Sequence, residues 1–367
     1  MKKKTEYICT VIVTAVLIFG LGLWAVLKPA DDFSESERRP LEQLPELSVK
    51  TILNGSFMDN FEDYTNDQFP LRDTFRSVKA LAQYYLFGLS DNNDLYFAEG
   101  QIAKLDFPLD EKSVNYAADR FEELYKNYLE GKANKIIFTV IPDKGFYLGK
   151  ENGYPVMDYN RMAEIFAQRL DFAQQVDITG LLDKNSYYAA DTHWQQQSIF
   201  AVAEELLSAL DARPFEDLAE ALATDKFHGV YYGQSALPLP AENIFYLTNE
   251  ELEAMTVYNY ETGKTTGVYD WDKLESKDPY EFYLSGAASL LEVTNPAGES
   301  GRHLVIFRDS FGSSIAPLLM RDYEKITLID TRYISPALIG EYVDFENADV
   351  LMAYSSLILN DAYILKK

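Results

Sequence analysis

Hydrophobic and polar residues follow three different patterns along the chain, and each pattern predicts a different kind of element. Residues 7–27 carry no charged side chain, and a helix of about 21 residues is long enough to cross the hydrocarbon core of a bilayer. From about residue 58 to residue 89, apolar residues recur at helical spacing and predict one or two amphipathic helices. Beyond that point, short apolar runs alternate with helical patterns.

These short apolar runs predict a buried sheet. The runs lie at residues 135–141, 176–178, 303–307, 325–329 and 349–353, with helical patterns at about 160–174, at about 194–210 and from about 314. The first run is rich in β-branched residues and is stopped by Pro142, which is typical of a buried parallel strand. The alternation predicts an α/β protein built as a three-layer α/β/α sandwich around a mostly parallel sheet. Within residues 214–296 only one strand, at 243–247, is predicted.

The same patterns predict the domain organisation. Residues 1–30 form a cytoplasmic tip and a transmembrane anchor, residues 31–100 form a linker and the amphipathic helices, and residues 101–367 form the main domain with an insertion around 214–296. Three lysines precede the apolar run and two aspartates follow it, so the main domain is expected outside the cytoplasm. A cleaved signal peptide is the alternative, but its apolar region spans only about 7–15 residues.

Composition narrows the classes of function. The 367 residues are 47% hydrophobic, which is enough for a sizeable core, and their formal charge of −25 argues against nucleic acid as a partner. The single cysteine, Cys9, lies inside the apolar run. The exported part therefore has no disulfide and no thiolate metal site, and we expect neither a metal nor another cofactor.

The first candidate site is Asp191-Thr192-His193-Trp194, directly before a predicted helix. In a turn, the Asp191 carboxylate can bond to Nδ1 of His193, which leaves Nε2 free to act as a base. The alternative is that Asp191 or Thr192 only caps the following helix.

The second candidate site is Arg308-Asp309-Ser310-Phe311-Gly312, between an apolar strand and a predicted helix. Ligand sites of open α/β sheets lie beyond the carboxyl ends of strands. A serine at such a strand-to-helix turn exposes its hydroxyl close to helix amides, which can stabilise an oxyanion. The alternative is again a simple helix cap.

His193 is the preferred base among three histidines. His303 opens its strand, at the wrong end for chemistry at Ser310. His228 has no acidic residue closer in sequence than Asp225. Metal-dependent hydrolysis using Asp191, His193 and His228 is a weaker hypothesis, because the sequence has no HxH or HExxH spacing.

The two motifs and their order resemble the DHHW family and the related periplasmic alginate O-acetylation proteins, which carry an SGNH-hydrolase-like domain. Residues 66–73, 141–144 and 330–333 also look like recurring segments of that group. One departure is Thr192, where the DHHW motif has histidine. The resemblance covers nearly all of the chain beyond the apolar run.

The resemblance implies a triad with Ser310 as nucleophile, His193 as general base and Asp191 as the residue that orients it. It also implies a serine-dependent acetyltransferase or esterase acting on a cell-surface or exported polysaccharide. A multispanning membrane protein would then deliver acetyl groups. The Ser310 amide is the only oxyanion donor that we can assign.

Four further residues are expected to contact the substrate. Lys144 and Arg332 each follow a predicted strand, and Trp194 and Arg308 flank the proposed base and nucleophile. Surface ion pairs are the alternative role for Lys144 and Arg332. An alternative for the whole chain is a non-catalytic glycan-binding or assembly module, since a fold does not guarantee an activity.

Overall fold

The computed structural model describes residues 2–367 and divides the chain into two compact units. The small unit holds the chain up to residue 92 together with residues 232–238. The large unit holds residues 93–231 and 239–367. The predicted boundaries at residues 30 and 100 stay predictions.

The small unit begins with an apolar helix. Helices α1 (Lys2–Ala15) and α2 (Leu21–Leu27) are joined by a π-helical turn at Val16–Gly20. The helix Lys4–Leu27 is long and apolar enough to cross a membrane, by length and composition. None of the side chains described in it is buried inside the protein.

The remainder of the small unit contains the predicted amphipathic helices. They are α3 (Val49–Leu53), α4 (Ser56–Asp67) and α5 (Arg72–Leu81), and α5 continues into a π-helical turn at Ala82–Leu86. Ser48 caps α3 in a reciprocal pair of hydrogen bonds with Thr51. Three two-residue strands complete the unit: β1 (Phe33–Ser34), β2 (Arg39–Pro40) and β3 (Asp91–Asn92).

Twelve further strands follow in the large unit. They are β4 (Leu95–Ala98), β5 (Gln101–Lys104), β6 (Lys135–Ile141), β7 (Gln174–Gln175), β8 (Ala219–Phe227), β9 (Glu242–Thr248), β10 (Thr256–Asn259), β11 (Lys264–Thr266), β12 (Leu290–Thr294), β13 (Glu299–Arg308), β14 (Tyr323–Ile329) and β15 (Asp349–Ser355).

Eight of these strands form the central sheet, in the order β11-β10-β12-β14-β13-β15-β6-β7. The five strands from β14 to β7 run parallel to their neighbours. Strands β12, β10 and β11 extend this block in antiparallel pairs. The prediction of an α/β fold with a mostly parallel sheet is confirmed.

The remaining helices are α6 (Glu111–Leu124), α7 (Gly145–Leu148), α8 (Tyr159–Arg169), α9 (Phe200–Ala209), α10 (Val230–Ser235), α11 (Glu250–Ala254), α12 (Gly312–Ile315), α13 (Pro336–Ile339) and α14 (Ser356–Asn360). The three longest of these, α6, α8 and α9, pack on the sheet.

Strand β13 shows how the core is divided. Leu304 and Ile306 belong to one apolar cluster, together with α9. Val305 and Phe307 belong to a second cluster, together with α6 and α8. Because successive side chains of a strand point to opposite faces, both faces of the sheet are covered.

One predicted helix start is wrong. The helix predicted from about residue 194 begins at Phe200, because Trp194 instead pairs with Tyr187 in an isolated β-bridge. The helix predicted from about residue 314 corresponds to α12 and the 3-10 turn at Ala316–Leu319 that follows it. Within 214–296, β8 and β9 form a two-stranded antiparallel sheet, and β9 contains the predicted strand at 243–247.

Candidate active site

Asp309 shapes the turn that follows β13. Its Oδ1 accepts a hydrogen bond from the Phe311 amide at 3.0 Å, and its Oδ2 accepts one from the Ser355 amide at 2.7 Å. The carboxylate therefore ties the turn to the carboxyl end of the neighbouring strand β15. Ser310 lies within this turn and is half-buried.

The structure brings together the three residues of the expected triad. Nε2 of His193 lies 2.8 Å from Oγ of Ser310, and Nδ1 of the same ring lies 2.6 Å from Oδ1 of Asp191. The two loops that carry these residues are separated by more than a hundred positions in the sequence. An alcohol, an imidazole and a carboxylate are thus aligned in series, which is the geometry that activates a serine.

Asp191 is held in place by the backbone. Its Oδ1 also accepts from the His193 amide at 2.9 Å, while its Oδ2 accepts from the Val230 amide at 2.7 Å. The side chain is fully buried. Because an ionised carboxylate can only accept, the proton of the neutral ring lies on Nδ1 and the lone pair of Nε2 faces Ser310.

Tyr280 fixes the plane of the imidazole. Its ring stacks on His193 with centroids 3.8 Å apart and planes 8° from parallel. Its hydroxyl donates to Oγ of Ser314 at 2.8 Å, and the Trp194 indole donates to the same oxygen at 2.8 Å. Burial raises the pKa of Tyr280 well above its usual value, so it stays a neutral donor.

Comparison with solved structures gives relatives at low sequence identity. A DHHW family protein from Eubacterium siraeum has a TM-score of 0.60 and 18% identity, over 76% of this chain and 98% of that one. Bacillus cereus PatB1, whose structure carries a sulfonyl adduct, has a TM-score of 0.57 and 14% identity, over 74% and 98%. The O-acetyltransferase domain of Pseudomonas putida AlgJ has a TM-score of 0.42 and 13% identity, over 68% and 84%.

The chain resembles a DHHW family protein in fold. The resemblance that the two motifs indicate is confirmed at that level. No model of a protein family and no curated protein matches the sequence.

Lys144, at the carboxyl end of β6, supports the loop that leads to Asp191. Its ammonium donates to the carbonyls of Tyr188 at 2.6 Å and Ala189 at 3.1 Å, and it lies over the ring of Tyr231. The side chain is buried. The structure thus places this predicted substrate contact beneath the loop, among protein atoms.

Glu242 holds the same loop from the other side. Its two carboxylate oxygens accept from the amides of Ala189 at 2.6 Å and Ala190 at 2.8 Å. Burial raises the pKa of Glu242. Two ionisable side chains, Lys144 just after β6 and Glu242 at the start of β9, therefore fix the carbonyls and amides of the residues that precede Asp191.

The charge of Lys144 predicts how stability depends on pH. Burial lowers its pKa to about 7, although the nearby carboxylates of Asp191, Glu242 and Asp143 oppose the shift. The unfolded chain keeps this proton up to about pH 10.4, so folding releases a proton between these values and stability rises with pH there. We expect the free energy of unfolding of wild type to rise by up to about 1.4 kcal/mol per pH unit relative to that of Lys144→Met. Denaturant unfolding at pH 7, 8 and 9 measures it, and a pH-independent difference contradicts it.

The two arginines that are predicted to contact the substrate form hydrogen bonds with protein groups instead. Arg308 is fully buried and donates to Oγ of Ser313 at 2.7 Å and to the Gly286 carbonyl at 3.2 Å. Arg332, after β14, donates to both carboxylate oxygens of Asp330 at 2.9 and 2.6 Å. Arg332 is half-buried, and of the four predicted substrate contacts it alone keeps partial exposure.

Gly229 makes a close contact with the loop of Asp191. A Cβ at this position would lie 2.3 Å from the Ala190 carbonyl oxygen and 2.4 Å from Cβ of Asp191. Gly229→Ala is therefore expected to cost about 1–3 kcal/mol of unfolding free energy and to reduce any turnover that depends on the triad, because the loop must move. Thermal unfolding measures the first effect, and hydrolysis of a chromogenic acetyl ester measures the second.

Gly180 provides the matched control for this substitution. An added Cβ there meets nothing within 4 Å. Gly180→Ala should leave stability and turnover close to wild type. If Gly229→Ala behaves like Gly180→Ala, the contact does not position Asp191.

Sequence reasoning missed several residues around the triad. Tyr280, Glu242 and Gly229 all come from the stretch at 214–296 that gave one predicted strand. His228, the rival base that the sequence offers in the same stretch, is exposed. Among the described residues, no group of three or more His, Cys, Asp or Glu side chains is arranged to hold a metal ion.

Proposed function

We propose that the chain is an extracytoplasmic, serine-dependent acetyltransferase or esterase that acts on a cell-surface or exported polysaccharide. The supporting observation is the series of two short hydrogen bonds, from Ser310 to His193 at 2.8 Å and from His193 to Asp191 at 2.6 Å. In this proposal the large unit is an SGNH-hydrolase-like α/β/α sandwich.

The first half of the reaction forms an acyl-enzyme. Oγ of Ser310 attacks the carbonyl carbon of an acetyl ester while Nε2 of His193 removes the hydroxyl proton. The amide of Ser310 is the proposed donor to the oxyanion. The C–O bond of the ester then breaks, and His193 returns the proton to the leaving alcohol. Asp191 stabilises the imidazolium that exists between these steps.

The second half of the reaction resolves the acyl-enzyme. A water or a sugar hydroxyl attacks the acetyl carbonyl, and Nε2 of His193 takes its proton. The bond from the carbonyl carbon to Oγ of Ser310 breaks, and the serine recovers the proton from His193. Water yields acetate, whereas a sugar hydroxyl yields an O-acetylated glycan.

The structure of one relative supports a reactive nucleophile in a protein of this fold. The DHHW family protein and PatB1 share the fold at TM-scores of 0.60 and 0.57. PatB1 carries a sulfonyl adduct in its structure. A sulfonyl group that has reacted with a protein marks a nucleophile in that protein, and Ser310 is the corresponding type of group here.

The proposal includes a location and a partner. The apolar helix at Lys4–Leu27 anchors the chain by a single crossing, and the remainder lies outside the cytoplasm. A multispanning membrane protein delivers acetyl groups to Ser310. Of the predicted substrate contacts, Arg332 is the best placed, because Lys144, Trp194 and Arg308 are buried.

The activity is tested by supplying an acetyl ester with a neutral oligosaccharide to the full chain in detergent. Mass spectrometry then distinguishes acetylated oligosaccharide, the product of transfer, from free acetate, the product of hydrolysis. We expect at least one product above the no-enzyme control. Glycan binding with neither product supports the non-catalytic module instead.

A further inference from the structure

Helix α5 carries a stripe of apolar side chains that faces solvent. Phe75, Val78, Tyr85 and Leu86 are 47%, 58%, 76% and 75% exposed. Their spacing places them on one face of a helix that continues through the π-helical turn after α5. We call these four residues the α5 stripe.

The opposite face of α5 is engaged within the small unit. Ala80 is buried, and Arg76 donates to the carbonyls of Gly233 at 3.1 Å and Gln234 at 3.2 Å. These contacts fix the rotation of the helix. The α5 stripe therefore faces outward as a defined surface.

Apolar neighbours extend the stripe at both ends. Phe69 and Leu71, just before α5, are 38% and 52% exposed, and the Phe69 ring contacts Phe75 edge-on with centroids 5.6 Å apart. Phe87 and Leu89, just after it, are 67% and 47% exposed. Continuous apolar surface of this kind is typical of a site that contacts a membrane or a partner.

The start of α5 lies beside the end of the apolar helix. Gln68 accepts a hydrogen bond from the Asp31 amide at 2.8 Å and donates to the Asp31 carbonyl at 2.8 Å. Trp24 and Lys28, near the end of the apolar helix, line one cavity together with Phe69 and Leu71. The apolar surface is thus continuous with the end of the membrane-crossing segment, where tryptophan is typical of the interface.

We propose that the α5 stripe lies in the outer interface of the lipid bilayer, next to the point where the apolar helix leaves it. An apolar helical face at this position buries its side chains among the acyl chains, while the exposed Lys79 beside the stripe meets lipid phosphates. The bilayer is favoured over a protein partner because the stripe adjoins the anchor. This inference rests on the proposed anchor and adds a second membrane contact.

The test uses the full chain in liposomes with a fluorescent bimane probe on single cysteines. Cys9 is the only native cysteine and lies in the apolar helix, so labelling it reports whether that helix is inserted. In a Cys9→Ser background, Val78→Cys places the probe on the α5 stripe. Glu205→Cys places it at an exposed position of α9 and serves as the reference for a probe in water. Brominated phosphatidylcholine quenches probes that contact acyl chains.

We expect quenching at residue 78 to approach that at Cys9 and to exceed that at residue 205 by about threefold or more. Leu86→Cys repeats the measurement if Val78→Cys does not fold. Strong quenching at Cys9 with residues 78 and 86 equal to residue 205 overturns the inference and leaves the anchor intact. Weak quenching at Cys9 refutes the anchor itself and, with it, this inference.

Discussion

Replacing Ser310 by alanine is expected to reduce acetyl-ester turnover by at least about 10³-fold, because the attacking oxygen is removed while the remainder of the site still binds substrate. The residue is half-buried, and its hydroxyl lies at hydrogen-bonding distance from the His193 ring. Its loss should therefore change the free energy of unfolding by only about 1 kcal/mol. Turnover of a chromogenic acetyl ester and thermal unfolding of the full chain measure the two quantities.

Ser208 supplies the control for this experiment. It is an exposed serine on α9, in the same unit as Ser310. Ser208→Ala should keep wild-type turnover. If Ser310→Ala retains turnover within a few-fold of Ser208→Ala, then Ser310 is not the nucleophile.

Asp191→Asn is expected to lower turnover by about 10³–10⁴-fold although the side chain keeps its shape. The two carboxylate oxygens accept from three N–H groups, those of the His193 ring, the His193 backbone and the Val230 backbone. An asparagine cannot satisfy all of them. With its oxygen toward His193, its NH₂ meets the Val230 amide; with its NH₂ toward His193, the ring must carry its proton on Nε2 and cannot accept one from Ser310.

Asp171 provides the matched control, since it is an exposed aspartate of the large unit. Asp171→Asn should leave turnover unchanged. If thermal unfolding shows that Asp191→Asn is folded and its turnover equals that of wild type, the carboxylate does not orient the base.

The sequence signals that succeed are local ones. The apolar run at residues 135–141 coincides with β6, because a β-branched segment bounded by a lysine and a proline has few other stable conformations. The motif around Ser310 follows the same logic, since it places a reactive side chain just after the carboxyl end of β13. The His193 motif lies in a loop between two 3-10 turns, at Lys184–Ser186 and Gln196–Ser198, and the fold brings that loop to Ser310.

The features that the sequence does not reveal depend on contacts between distant segments. Trp194 was expected to begin a helix, but its indole is committed to Ser314 and its backbone to Tyr187. Tyr280 and Glu242 have no local pattern that distinguishes them from other tyrosines and glutamates of the acidic stretch at 214–296. Their roles arise only when the folded chain places them against His193 and Ala190.

Lys144 shows that a substrate contact, too, cannot be predicted from the local sequence alone. A lysine just after a strand is usually exposed, which led to the expectation of a ligand contact. In the structure two backbone carbonyls accept from it, and the carboxylates of Asp191, Glu242 and Asp143 lie near enough to favour its charged form. No property of residues 141–144 alone reveals those partners.

The most direct measurement is the site of a covalent adduct. The full chain is treated with a fluorophosphonate, which reacts with activated serines, and the product is analysed by intact mass and peptide mapping. We predict one adduct per chain, on Ser310, absent from Ser310→Ala and strongly reduced in His193→Gln but not in His228→Gln. A wild-type chain that acquires no adduct, or that carries it on another residue, contradicts the proposed nucleophile.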